Sequence, residues 1–452
     1  MSLIKTFARK IGMDKSIAYT SGSRIIQGFT GVASVFFITT FLTGVEQGFY
    51  YTFGSILALQ VFFEMGLTGI MTQYVAHEAS HLQLVDNCHY VGEQKYQSRL
   101  ASLVHFCIKW YGVLAILIFV FLIVVGFFYF SRYGDTQADD VEWRLPWILI
   151  CIATGVKLLQ SPFTSILTGL NFVKDMSKVN FWQQIIIPVC TWLGLAVGFK
   201  LYVTGIGYLL SVLIWFTYSK RHGLLRLLLN IYNTKIVERV DYIKEIFPYQ
   251  WRIALSWISG YFIFQLFNPV LFATEGAVVA GQMGMTMQAL NSLMALTQSW
   301  INTKVPILSS LIAQKRYYEL DVLFNKTMKQ LLGIGTLLML IFIVIVYILL
   351  HIRMLQAFGE RFLPIIPLSL MCWACWTMFP INCWATYLRC HKKEPLLLNS
   401  VVMGLLCCTS TLTLGNLYGL YGMVIGFAIL RIVSLTWIHK IYIIKKKEWH
   451  NE

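Results

Sequence analysis

Apolar residues in this chain do not alternate with polar ones. They run on. Stretches of about 20 mostly apolar residues, the length of one helical membrane crossing, recur from end to end between short polar turns. Twelve such stretches predict twelve transmembrane helices, at 16–42, 48–76, 101–130, 145–170, 179–199, 202–218, 251–272, 277–311, 331–350, 362–388, 396–415 and 417–444. The fifth and sixth merge around "GFKLYVTGIG".

The basic residues then orient the spans, because loops on the cytoplasmic side are enriched in Lys and Arg. With the N-terminus inside, 26 Lys and Arg fall in inside segments and 5 (Arg132, Arg144, Lys200, Arg353, Arg361) in outside loops. Both termini are predicted to be cytoplasmic. The outside loops are short, and the longest, "SRYGDTQADDVEWR", carries Asp135, Asp139, Asp140 and Glu142. Without a large exposed loop, a glycosyltransferase, polymerase or ligase is disfavoured.

Composition agrees with the span pattern. The 452 residues are 57% hydrophobic and 13% charged, with a mean hydropathy of +0.65. Such a chain does not fold around one aqueous core. The net charge of +15 is largely a topology signal, so nucleic acid is not needed to explain it. The basic N-terminus leads into no short apolar run with a cleavage site, so the first apolar segment is expected to stay as the first span. The ten Cys sit mostly inside apolar runs and form no disulfide framework. Cys372 and Cys375 read as two small residues on one helix face.

The longest inside segment, "SKRHGLLRLLLNIYNTKIVERVDYIKEIFPYQ", alternates Leu and Ile with Arg and Lys. Part of it is expected to lie on the membrane as an amphipathic helix. It divides the chain into an N-terminal lobe (1–220), a linker (221–250) and a C-terminal lobe (251–452). The lobes echo each other. "RIIQGFTGVASVFFITTFLTGVEQG", from Arg24, and "RIALSWISGYFIFQLFNPVLFATEG", from Arg252, both start Arg-Ile and run to an acid (Glu46, Glu275) and a Gly (Gly48, Gly276), with the same Arg-to-Gly spacing. Six spans per half gives a parallel repeat, an arrangement transporters use with the substrate between the halves. Pro162, Pro188, Pro269, Pro306 and Pro380 fall within spans and serve either packing or hinge bending.

Ionisable residues inside spans are costly and point to function. Five are cations: Arg24, Lys109, Lys157, Lys304 and Arg431. Lys157 and Arg431 sit near mid-bilayer, Arg24 and Lys109 in the inner half, and Lys304 near the inner end. Lys109 and Lys304 are expected to snorkel. The comparable acid is Glu64, either a coupling-ion or proton site or a salt-bridge partner. A basic excess suits an anion such as a diphosphate, whereas an exporter of cationic drugs wants carboxylates.

His77-Glu78-Ala79-Ser80-His81 matches the zinc-protease pattern H-E-x-x-H. Its context does not fit: the metzincin extension would need Gly at Leu84 and His at Asn87, and the spans contain no Asp. The stretch reads as a solvated helix end, and no metal site is expected.

These features together resemble the polysaccharide flippases (O-antigen, Wzx-type) of the MOP superfamily, which also contains the MATE exporters. The resemblance is carried by the twelve spans, the opening "SGSRIIQGFTGVASVFFITTFL", then "GFYYTFGSILALQVFFEMGLTGIMTQYVA" and "ILTGLNFVKDMSKVN". It implies an all-α integral membrane protein of two pseudo-symmetric six-helix lobes in a bacterial inner membrane. It implies a transporter, not an enzyme, that flips an undecaprenyl-diphosphate-linked oligosaccharide by alternating access for surface polysaccharide export. Arg24, Lys157, Arg252 and Arg431 would match the cations that hold the anionic head in such proteins, and the lobes would rock about the segment near 221–248. No cofactor is implied beyond coupling to H+ or Na+ through Glu64. The implied partners are membrane lipids and assembly-pathway proteins such as a polysaccharide polymerase. A MATE-like ion-coupled exporter of small molecules, an enzyme using Glu78, and a scaffold with an inactive transporter fold are the competing readings.

Overall fold

Backbone N–H and C=O groups have no water to bond in a bilayer core, so an apolar run must satisfy them internally as a helix. A computed structural model of the chain follows that rule. It describes residues 15–86, 88–134, 141–391, 393 and 395–450, without the side chains of 15–21, 23–25 and 249. Asp135, Asp139, Asp140, Lys5, Arg9, Lys10 and Lys392 lie outside the described residues.

The chain begins with α1 (Lys15–Phe41), α2 (Gly44–Leu57), α3 (Val61–Glu64) and α4 (Leu67–Ala79). A two-stranded hairpin, β1 (Leu82–Val85) and β2 (His89–Gly92), precedes α5 (Gln94–Tyr133), α6 (Arg144–Gly169), α7 (Val173–Val197) and α8 (Val203–Arg221). After the short α9 (Leu224–Tyr232) come α10 (Phe247–Phe264), α11 (Phe267–Thr274), α12 (Ala277–Asn302) and α13 (Val305–Ala313). The last helices are α14 (Tyr317–His351), α15 (Gln356–Gly359), α16 (Ile365–Trp376), α17 (Met378–Cys390) and α18 (Leu397–His450). Among the described residues eight helices are long and apolar enough to cross a membrane, or nine if the bent pair Gly44–Glu64 and Leu67–Ala79 is one span. The protein is therefore a multi-pass membrane protein.

The structure corrects the sequence reading at three places. The hairpin departs from an all-α chain; its antiparallel register runs from Leu82↔Gly92 to Val85↔His89. Asp86, at φ 50°, starts its turn, a backbone region that Asp tolerates. The expected second span is not continuous. Met65 and Gly66 both adopt left-handed φ (49° and 67°), and the helix bends by 42° there. The last two expected spans, by contrast, are two helical arms of α18 that meet at Gly419, whose φ of 57° and ψ of −140° leave the helical region. Glu78 is not solvated: its side chain is 2% exposed, against 72% for the adjacent His77.

Prolines mark several helix breaks. Pro269, Pro306 and Pro380 stand at the restarts of α11, α13 and α17, whereas Pro162 and Pro188 are absorbed within α6 and α7. The expected amphipathic segment is present as α9, which buries Leu224, Leu227, Leu228 and Ile231 and exposes Arg226 and Leu229.

Contacts group the chain into two compact units. The first joins Met1–Ser23, Leu59–Phe128 and Glu142–Trp257; the second joins Arg24–Ala58, Tyr129–Val141 and Ile258–Glu452. In the first unit Arg99 gathers three acids. It binds Glu78 at 3.1 Å, Glu238 at 3.6 Å and Glu245 at 2.6 Å, tying α4 and α5 to the segment before α10.

In the second unit α2 and α12 approach backbone to backbone. A Cβ at Gly48 would collide with the Ala277 carbonyl, and one at Gly281 would stand 2.8 Å from the Gly48 nitrogen. Lipid supplies no hydrophobic drive between helices, so small residues that permit close packing, with hydrogen bonds across the seam, hold such pairs. Gln47, 1% exposed, donates to the Gly281 carbonyl (2.8 Å) and to the Arg361 carbonyl (3.0 Å), and Arg361 donates to the Leu42 carbonyl (2.7 Å). Thr43 and Glu46 form a reciprocal cap at the start of α2. Behind this seam Phe49, Phe53, Phe130 and Phe272 pack edge to face or tilted at 5.0–5.7 Å.

Two outcomes follow for stability. Gly281→Leu overpacks the seam, at a cost of about 1–3 kcal/mol, so its thermal unfolding midpoint in detergent falls. Gly333→Leu, at a glycine with open space around it, leaves the midpoint near wild type. Arg99→Met strands the buried Glu78, at a cost of about 3–5 kcal/mol. The Arg99 guanidinium also holds the Glu245 carboxyl below its ordinary value of 4.5. That contribution is complete above pH 4.5 and fades as pH falls through the lowered value. In unfolding scans below pH 4.5 the wild-type midpoint therefore drops more steeply than that of Arg99→Met.

Candidate functional site

Charge is the sequence's guide to the site, and each candidate residue has its own surroundings in the structure. Arg24 lies within α1 and its side chain is outside the described residues. Arg252 is exposed near the start of α10, with its guanidinium carbon 5.5 Å from the Trp251 ring centroid. Lys157, on α6, is half-buried; its ammonium lies 4.9 Å over the Tyr208 ring and donates to Ser211 Oγ at 3.4 Å. Gln183 ties the same helices together, donating to the Ser211 carbonyl (2.7 Å) and to Gln160 Oε1 (3.3 Å).

Glu64 ends α3 at the bend in the second expected span. Ser161, one turn beyond Lys157 on α6, donates to it at 3.5 Å. Among the described residues no cation lies within ion-pair distance of Glu64, so the salt-bridge reading of this acid is not met there. Arg431 is 4% exposed in α18. Its Nε donates to Thr377 Oγ1 at 3.4 Å, and its Nη2 meets the Met378 sulfur, where α16 gives way to α17. Pro380 has no N–H for the Trp376 carbonyl four residues back, which accounts for the helix break at this junction.

The cavity lies elsewhere, within the second unit, and has a volume of about 430 Å³. That is within the roughly 300–1,000 Å³ of small-molecule sites. Gln27 and Gly31 of α1 form one wall, Tyr51, Gly54 and Ser55 of α2 a second, and Gln288, Asn291 and Ser292 of α12 a third. The floor is the break between α10 and α11, with Phe264, Gln265, Phe267 and Asn268. Among the described residues no Asp, Glu, Lys or Arg lines it.

The sequence explains why polar groups collect here. Along α12 one face reads Ala277, Gly281, Gly284, Gln288, Asn291 and Ala295, at steps of three and four. It is small where it touches α2 and carboxamide where it lines the cavity. Pro269 has no N–H to offer the Gln265 carbonyl four residues back, so the helix breaks at the floor of the cavity. Two of the amides are engaged: Asn268 donates to Ser55 Oγ (3.2 Å) and Gln288 to the Gly31 carbonyl (3.1 Å). Among the described residues the side chains of Gln27, Gln265 and Asn291 make no hydrogen bond. Each has both a donor and an acceptor to offer. Sequence reasoning passed over these residues because they carry no charge. The signal available was four amides and a Pro at helical spacing in otherwise apolar spans.

No family model matches the chain, and no curated protein matches it. Solved structures do. An inward-facing multidrug resistance MATE family transporter of the MOP superfamily aligns over 93% of this chain and 99% of its own, at 13% identity and a TM-score of 0.54. A MATE transporter from Vibrio cholerae covers 100% of both chains at 11% identity and a TM-score of 0.56. A MOP superfamily transporter from Pyrococcus furiosus, described as having a binding pocket of reverse polarity, covers 95% of this chain and 96% of its own at 12% identity and 0.51. The fold is that of the MATE and MOP superfamily transporters. At these identities the likeness speaks for the fold and not for the substrate.

Open and enclosed groups should differ in chemical access. A cysteine placed at Asn291 is expected to react within minutes with a polar maleimide in detergent. The native Cys375 and Cys407, 2% exposed and close to Arg431, should remain unlabelled by mass spectrometry. Fast labelling of those two would put Arg431 on an open path.

Proposed function

We propose that this protein is a membrane transporter that flips an undecaprenyl-diphosphate-linked oligosaccharide from the inner to the outer leaflet by alternating access. In this reading it serves surface polysaccharide export in a bacterial inner membrane, with both termini cytoplasmic, and it performs no chemistry on its cargo. The observation that carries the reading is the cavity's lining, which among the described residues offers carboxamides, hydroxyls and aromatic groups and no carboxylate. A lipophilic cation entering it would lose water and gain no counter-charge, which is costly. A neutral polar glycan would find donors and acceptors throughout.

The twelve crossings would comprise the nine spans above, α1, α12 and the second arm of α18 beyond Gly419, arranged as six in each lobe (1–220 and 251–452) about the linker 221–250. Arg24, Lys157 and Arg431 are assigned to the diphosphate, and Arg252 to its first encounter at the membrane edge. Lys157 suits this best, since an anion can replace its weak contact to Ser211 without leaving an acid unpaired. Glu64 is assigned to H+ or Na+ coupling, because it is an acid within a bent span that accepts from a hydroxyl rather than from a cation. Membrane lipids and a polysaccharide polymerase are the expected partners. The second reading, a MATE-like exporter of small molecules, draws on the names of the solved neighbours. One of those is itself described as having reversed pocket polarity, so the fold alone does not choose.

Reconstituted vesicles separate the readings. The wild type is expected to expose a fluorescent lipid-diphosphate oligosaccharide to an impermeant quencher and to leave rhodamine 6G unmoved. Lys157→Met should slow the lipid by roughly tenfold, the loss of one charge-assisted contact. Rhodamine transport with no lipid flipping would reverse the assignment.

A further inference from the structure

The span cations can account for an anionic head, but none of those described enters the cavity, and the cavity's own chemistry is different. We propose that it is a sugar-recognition subsite, holding one neutral, polyhydroxylated ring of the transported lipid. The inference rests on the flippase reading and adds to it a second contact region, separate from the diphosphate site.

Three observations carry it. First, the unengaged groups are all carboxamides: Gln27 from α1, Gln265 from the α10–α11 break and Asn291 from α12, facing one space from three walls. A sugar hydroxyl both donates and accepts, and a carboxamide is the neutral side chain that does the same from fixed positions. Second, Pro269 has no N–H to offer the Gln265 carbonyl four residues back, and the helix breaks there, at the floor of the cavity. Irregular backbone at membrane depth is tolerated where it lines a polar cavity. Third, Phe264 borders the same break and lines the cavity, so an apolar surface stands beside the amides, and a pyranose ring offers both kinds of surface. Among the described residues no charged side chain lines the space, which speaks against a second phosphate there.

Binding to the full-length protein in detergent tests the subsite. The probe is farnesyl diphosphate carrying N-acetylglucosamine on its terminal phosphate. The comparison ligand is farnesyl methyl diphosphate, which has the same charge and no sugar. Isothermal titration of the wild type should show the sugar-bearing probe binding roughly tenfold tighter, the yield of one or two net hydrogen bonds. In the double variant Gln265→Leu/Asn291→Leu the preference should vanish while affinity for farnesyl methyl diphosphate stays at the wild-type value. That unchanged affinity also certifies the variant's fold. A wild type that binds both ligands equally, or a double variant that keeps the preference, overturns the subsite and leaves the flippase reading standing. A wild type that binds neither ligand overturns both.

Discussion

The close approach of α2 and α12 sets what the rest of the second unit can be. Glycine at 48 and 281 lets two helices meet at backbone distance where any side chain would hold them apart. In lipid that contact has no hydrophobic substitute. Beyond this seam the faces that were glycine and alanine become Tyr51 and Ser55 on one helix and Gln288 and Asn291 on the other, and these side chains line the cavity. Gln47 and Arg361 secure the seam through backbone carbonyls, which do not depend on the identity of neighbouring side chains.

Helix breaks provide the second organising element. Each departure from regular helix carries polar groups that hydrocarbon would not tolerate. Glu64 sits at the bend before Met65 and Gly66, Gln265 at the gap before α11, and Thr377 at the junction before α17. In each case the surroundings answer the polarity differently. Glu64 receives a hydroxyl, Thr377 receives Arg431, and Gln265 faces an open cavity. A broken span thus places polar groups at depth, and its neighbours decide whether they become structure or site.

Much of the fold was legible because hydrophobic runs are long-range averages. Shifting an end by several residues does not change them, so α14 can begin at Tyr317 rather than 331 without disturbing the reading. The amphipathic α9 was visible for the same reason, in its alternation of Leu with Arg. What failed to show were features fixed by single residues. Asp86 turning a hairpin, Met65 beside Gly66 bending a span, and Glu78 turning inward to Arg99 leave no mark on a twenty-residue window. The H-E-x-x-H match illustrates the limit: its Glu78 is held by Arg99, 21 residues away in sequence, a pairing that no local pattern announces.

The search for the site by charge also had a physical flaw. A cation in low dielectric is stable only if its surroundings compensate it, so the cations that persist inside spans tend to be those already engaged. Arg431 lies on Thr377 and the Met378 sulfur, and Lys157 over Tyr208 and against Ser211. An uncharged carboxamide can wait beside a cavity at much lower cost, because water satisfies it when no ligand is present. Among the described residues lining the cavity, the groups with unused bonding capacity are neutral: the amides at 27, 265 and 291. A count of Lys and Arg carries no trace of them, because a carboxamide changes neither the net charge nor the run of apolar residues around it.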